Sequence, residues 1–100
     1  MEYLNKVQLV GRVGYSKSQA IGSSVCTRFS LATNYTYKDK DGNPVIETTW
    51  HNCVSFDKND IFIKKGDTAR VEGRIKANKY IDSDGKDKIS YEIIVSKCSY

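Results

Sequence analysis

The sequence predicts an all-β domain that closes into a five-stranded barrel, and three observations carry that expectation. β-branched and aromatic residues recur in short runs bounded by turn residues; two Asp-Gly pairs, Asp41-Gly42 and Asp84-Gly85, separate such runs; and one proline, Pro44, with no Gly/Ser-rich tract, leaves no place for a linker. One hundred residues fit a single domain, residues 1–100, with one core and a thin margin of burial, so self-association would add to its stability.

Strand one is expected over residues 6–13, where Val7, Leu9 and Val13 alternate with Gln8 and Arg12, followed by a loop over residues 14–24. Strand two, residues 26–37, sets Phe29 and Leu31 against Arg28, Ser30 and Asn34, and Asp41-Gly42-Asn43-Pro44 turns the chain. Strand three, residues 45–56, gives Trp50, Val54 and Phe56 one parity and His51 and Cys53 the other. Residues 57–65 suit one or two helical turns around Ile61 and Phe62, stopped by Gly66. Strand four alternates most cleanly, with Ala69, Val71, Gly73, Ile75 and Ala77 on one face and Thr68, Arg70, Glu72, Arg74 and Lys76 on the other. In strand five Ile89, Tyr91, Ile93 and Val95 share a parity that suits burial. Five such strands with a short helical connection between strands three and four fit a five-stranded OB-fold barrel, with an SH3-like barrel as the competing arrangement.

Several function classes fall away. No apolar run approaches the length of a membrane span, and the first residues lack the pattern of a secretory signal, so a cytoplasmic protein is expected. The one histidine, His51, sits beside Trp50 on a strand, and no phosphate-binding Gly-Lys loop occurs, so no enzyme activity, catalytic residue or cofactor is expected. Cys26, Cys53 and Cys98 match neither a zinc pattern nor a disulfide framework and read as reduced structural thiols. The strings from Tyr37 to Gly42 and from Tyr80 to Gly85 share a spacing that superficially resembles a calcium loop. Tyrosine stands at the first ligand position, and Thr48 or Tyr91 at the twelfth, so two hairpin turns are expected and no metal site.

Sixteen basic residues against twelve acidic ones leave a net charge of +4. Between Lys64 and Lys79 six cations face two acids, so this stretch alone matches the whole chain's surplus. Arg74, Lys76 and Tyr80 share the parity opposite strand four's apolar row, provided no bulge intervenes. Cations interleaved with aromatic rings complement a single-stranded nucleic acid, which offers phosphates and unstacked base faces together. Trp50, Phe56, Tyr37 and Tyr80 are the candidate stacking platforms; Arg12, Arg28, Arg74, Lys76 and Lys79 are the candidate phosphate contacts. Parity alone leaves open whether Trp50 and Phe56 are core residues instead, and turns His51 and Cys53 away from the proposed groove.

The strings from Asn5 to Gly14, from Phe29 to Asn34, Thr49-Trp50-His51, and Lys65-Gly66 followed by Val71-Glu72-Gly73-Arg74 resemble the bacterial single-stranded DNA-binding protein family over roughly residues 5–95. The resemblance implies an OB-fold that assembles as a homotetramer and binds single-stranded DNA without sequence preference during replication, recombination and repair. It also implies cytoplasmic, nucleoid-associated work. The family's stacking aromatics fall on Tyr37, Trp50, Phe56 and Tyr80, and its subunit-contact histidine on His51. Tyrosines stand at Tyr37 and Tyr80 where tryptophan is common, Asn52 replaces a usual arginine, and residues 57–65 are shorter than the family's helical connection. The family's acidic tail, which recruits repair enzymes, has no counterpart before Tyr100. The expectation is a DNA-binding core, trimmed or naturally compact, with recruitment of such enzymes in doubt. The alternative is a dimeric adaptor of the primosomal replication protein N type, an OB-fold that binds DNA and replication proteins; a third class, an OB module for saccharide or protein alone, predicts no response to DNA.

Overall fold

Each run of alternating residues forms a strand in the computed structural model, which describes residues 2–100. The strands are β1 (Val7–Ile21), β2 (Ser24–Lys38), β3 (Pro44–Ser55), β4 (Thr68–Ile81) and β5 (Asp87–Ser99), with a 3-10 turn, Lys58–Phe62, between β3 and β4. They close in the order β1-β2-β3-β5-β4, with β4 returning to β1. All neighbours are antiparallel except β3 and β5. Phe29, Leu31, Ala69 and Val71 are fully buried and meet Val13, Cys53 and Ile93 in the barrel interior. Closure leaves no free edge there, as the sequence-based barrel expectation required.

Two bulges reset the alternation. On β1, Val13 lies opposite Leu31 and Ser16 opposite Phe29, so Gly14 and Tyr15 together face Ser30. On β5, Lys97 lies opposite Glu72 and Val95 opposite Gly73, which leaves Ser96 unpaired, its hydroxyl donating to the Glu72 carbonyl at 3.0 Å. A bulge reverses which parity points inward, so Val95 and Cys98 both pack against the core. Gly73 is required beside this bulge: a Cβ there would stand 2.1 Å from the Ile94 carbonyl oxygen.

The 3-10 turn plugs one end of the barrel, but Ile61 and Phe62, the residues expected to hold it, are exposed. Ile63, just beyond the turn, is the buried one. A 3-10 turn advances three residues per turn rather than 3.6, so the inward position shifts. Asp57 caps it through Asn59, the buried Asp60 carboxylate accepts a hydrogen bond from the Ser55 hydroxyl, and Gly66 (φ 94°) donates to the Val13 carbonyl at 2.9 Å.

The expected loop over residues 14–24 is instead the outer half of β1, turning tightly into β2 at Gly22 (φ 61°). Its polar residues hid the strand, because a hairpin that leaves the barrel has no buried face to alternate with. The other two hairpins also project, and both tips are built alike. Asp39 Oδ1 accepts from the amides of Asp41 and Asn43, and Asp82 Oδ1 from those of Asp84 and Lys86, at 2.8–2.9 Å. Gly42 and Gly85 take φ of 80° and 77°. These carboxylates hold backbone, which accounts for the repeated spacing without a metal.

The projections enlarge the molecule. Its radius of gyration is 16.1 Å, against ~13 Å for a compact 100-residue domain. Its surface is 7834 Å², against the ~5,700 Å² that its mass predicts. Ile89 and Tyr91, expected to be buried on β5, are exposed because their strand has already left the barrel mouth, and Ile75 on β4 is 46% exposed for the same reason.

Leu31→Ala, at a site with no solvent contact, is expected to cost about 2–5 kcal/mol in urea denaturation. The same truncation at exposed Ile81 is expected to stay within about 0.5 kcal/mol.

Candidate functional site

β3 alternates between core and solvent, so Cys53 points inward while Trp50 points out and is 59% exposed. Trp50 pairs with Ala32 on β2, which pairs with Arg12 on β1, so the indole and a guanidinium stand in one row on the outer face of three strands. The indole reaches across β2, where Ala32 and Ser30 are small, to the β1 bulge. A Cβ on Gly14 would sit 2.5 Å from Trp50 Cζ3 and 2.8 Å from Cη2. Gly14 therefore makes room for the ring, and Ser30 Oγ holds the bulge by accepting from the Tyr15 amide at 3.1 Å.

The other three aromatics are also exposed, yet they do not converge. Phe56 follows β3 and lines a groove between the β1–β2 hairpin and the 3-10 turn, with Val25 and Ile61. Tyr80 lines a groove near the tip of the β4–β5 hairpin with Lys79 and Lys88. Tyr37 lies near the end of β2 on the face opposite Trp50, and its ring stacks on Tyr35 with centroids 6.2 Å apart and planes at 29°. The rings thus mark separate stations along the surface. Tyr35, Tyr15 and Tyr91 are further exposed rings that the sequence-based expectation does not include. For Tyr35 the available signal is its i, i+2 spacing from Tyr37.

Among the cations, Arg74, Lys76 and Tyr80 do share a face, because the bulge between β4 and β5 falls on β5 and leaves β4 regular. Lys79 stands on the opposite face, in the row of Ile75 and Ile81. Arg28 is already engaged: its Nη1 lies 3.2 Å from Glu92 Oε2. That pair runs from β2 to β5 across β3 and covers Val54, which explains why Val54 is buried although it shares Trp50's parity.

His51 faces inward next to Trp50. Its Nε2 shares a 2.8 Å hydrogen bond with Thr33 Oγ1, and burial pushes its pKa below the usual 6.5. Burial also pushes the Cys53 thiol up to about 12 and the Cys98 thiol up to about 11, so both stay protonated and unreactive. Among the described residues no group of His, Cys, Asp and Glu side chains is placed to hold a metal. Exposed ring faces on surfaces that also carry guanidinium and ammonium groups offer stacking and anion contacts.

The single-strand binding protein family model matches residues 4–100. A Neisseria meningitidis protein named single-stranded DNA-binding protein is 37% identical over 101 residues, which cover 94% of this chain and 58% of that one. One of the same name from Xanthomonas axonopodis pv. citri is 39% identical over 101 residues, covering 94% and 56%. The chain thus spans under three-fifths of the length of these curated relatives. Among solved structures, a Plasmodium falciparum SSB complex with ssDNA superposes with a TM-score of 0.85 at 30% identity, covering 99% of this chain and 94% of that one. A small single-stranded DNA-binding protein from Streptomyces coelicolor shares the fold, with a TM-score of 0.75 at 20% identity, covering 95% and 92%.

Gly14→Ala is expected to displace the Trp50 ring and shift its emission maximum while far-UV circular dichroism stays unchanged. For His51, the unfolded chain binds the proton more readily than the folded one. Its contribution to stability is therefore full above pH ~6.5 and is lost as pH falls through that value toward the lowered folded pKa. Urea denaturation from about pH 7.5 down to about pH 5 should show the loss, and His51→Gln should flatten it.

Proposed function

Because the chain belongs to the single-strand binding protein family, we propose that it coats single-stranded DNA without reading its sequence and protects it during replication, recombination and repair. The observation that carries the proposal is the half-exposed indole of Trp50, seated on the Gly14 bulge in one row with Arg12. A free ring face gains from stacking on any base, and the neighbouring cation gains from any phosphate, so neither contact selects a sequence. Phe56, Tyr80 and Tyr37 extend the path as further stacking stations. Arg12, Arg74, Lys76 and Lys79 take phosphates, and Arg28 does so only by leaving Glu92.

Assembly as a homotetramer, with His51 near the subunit contact, is proposed from the family resemblance and is supported by the surface in excess of a compact monomer's. Cytoplasmic work at the nucleoid is proposed on the same resemblance; among the described residues no helix is long and apolar enough to cross a membrane. The protein acts by stoichiometric binding, and no chemical step is assigned to it. Each relative compared above is a single-stranded DNA-binding protein, which favours this function over the primosomal adaptor.

Oligo(dT) should quench the emission of the single tryptophan, and duplex DNA should do far less. Trp50→Ala should weaken binding by about 1–3 kcal/mol with an unchanged salt slope. Lys76→Ala should reduce the slope by about 0.7, the share of a single phosphate. The reverse pattern in titrations at several salt concentrations would overturn this division of roles.

A further inference from the structure

Phe56 is the one proposed stacking residue that lies outside the strands, in the single step between Ser55, the last residue of β3, and Asp57, which caps the 3-10 turn. No ladder partner fixes its backbone, yet its neighbours on both sides belong to one hydrogen-bond network. The Asp57 amide donates to Ser55 Oγ at 3.2 Å, which closes a turn around Phe56, and the Ser55 hydroxyl donates to Asp60 Oδ2. The Asp60 amide donates to the Asp57 carbonyl at 3.0 Å, so the network returns to the residue that follows Phe56.

Asp60 is 5% exposed and Ser55 1%, and among the described residues no lysine or arginine is paired with the carboxylate. Burying a carboxylate without a cation is unfavourable, and hydrogen bonds relieve only part of that. Burial pushes the Asp60 pKa above the usual carboxylate range, and the Ser55 hydrogen bond offsets the shift incompletely. For the core alone, apolar groups of similar shape at both positions would serve as well, and Ile63 already plugs the barrel. What an apolar side chain cannot do is orient the Ser55 hydroxyl. That group has one proton; given to Asp60, it leaves the oxygen lone pairs for the Asp57 amide. Without an acceptor at residue 60 the hydroxyl is free to rotate, and the turn around Phe56 loses its hold.

Resting on the function proposed above, we infer that Asp60 is a positioning residue for DNA binding: through Ser55 it fixes the backbone on both sides of Phe56, and with it the place of that exposed ring in its groove. The rotamers open to a side chain depend on its own backbone torsions, so a held backbone narrows where the ring can stand. A ring placed before the base arrives loses less freedom on stacking, which strengthens binding without any new contact. Asp60 is too buried to touch DNA and acts only through Phe56. His51, assigned above to the subunit contact, does not line the Phe56 groove.

Anisotropy of fluorescein-labelled oligo(dT), with thermal melting of the same samples, tests the inference in Asp60→Asn, in the double variant Ser55→Ala/Asp60→Leu, in Phe56→Ala, and in the variant that combines the last two. Asp60→Asn, whose amide oxygen still accepts from Ser55, is expected to bind as the wild type does. The double variant removes both sides of the hydrogen bond, so it should melt near the wild-type temperature and bind about five-fold more weakly, part of the roughly ten-fold loss expected for Phe56→Ala. Added to Phe56→Ala, the double substitution should cause no further loss, because no ring is left to position. Wild-type affinity in the double variant, beside a weakened Phe56→Ala, would overturn the inference and leave the proposed function standing. So would a loss in Asp60→Asn equal to that of the double variant, or a loss that persists undiminished in the Phe56→Ala background, whatever the melting temperature. An unaffected Phe56→Ala would remove that ring from the site and the inference with it. Wild-type protein that fails to bind oligo(dT) would overturn the proposed function itself.

Discussion

The barrel closes through a parallel contact of two residue pairs between β3 and β5, and the rest of the surface depends on its shortness. Two pairs suffice to seal the core around Phe29, Leu31 and Val71, because Cys53 and Ile93 complete the interior at that level. They are too few to hold the long hairpins together. The β2–β3 and β4–β5 ladders therefore run on as separate arms, each satisfying its own backbone hydrogen bonds while leaving both faces wet. Inward-parity residues such as Ile75, Tyr91 and Ile81 consequently emerge into solvent, where they form a rim instead of a core.

Placement of the rings follows from backbone irregularity as much as from parity. The β1 bulge puts a glycine under Trp50, and the small residues of β2 let the indole cross to it. The β5 bulge lets Val95 and Cys98 both pack inward and leaves β4 regular, which keeps Arg74, Lys76 and Tyr80 in one row. The tips of the β2–β3 and β4–β5 hairpins are each fixed by an aspartate that accepts two backbone hydrogen bonds ahead of a glycine with positive φ, so the arms that carry Tyr37 and Tyr80 have defined ends. The result is a set of exposed aromatic stations spread over the surface.

Much of this was legible in the residues. The alternation of β4, the Phe29/Leu31 row and both Asp-Gly turns follow from a period of two and from turn chemistry, whereas parity left the side of Trp50 open, since Val54 of the same parity is buried. What escaped has particular causes. The outer half of β1 is polar on both faces, so no pattern announces it. Ile63 rather than Ile61 plugs the barrel because the connection is a 3-10 turn. Tyr91 shares a parity with buried Ile93, and only the divergence of two strands distant in sequence turns it outward. Arg28 reads as a free cation until the strand order brings Glu92 within reach.

Binding as proposed rests on aromatic rings more than on ionic attraction. Photocrosslinking with an oligonucleotide carrying 5-bromouracil, followed by mass spectrometric mapping of the modified residues, probes that dependence ring by ring. Crosslinks at Trp50, Phe56 and the exposed tyrosines are expected. Adducts that avoid every one of these rings, in a complex shown to have formed under the same conditions, would contradict it.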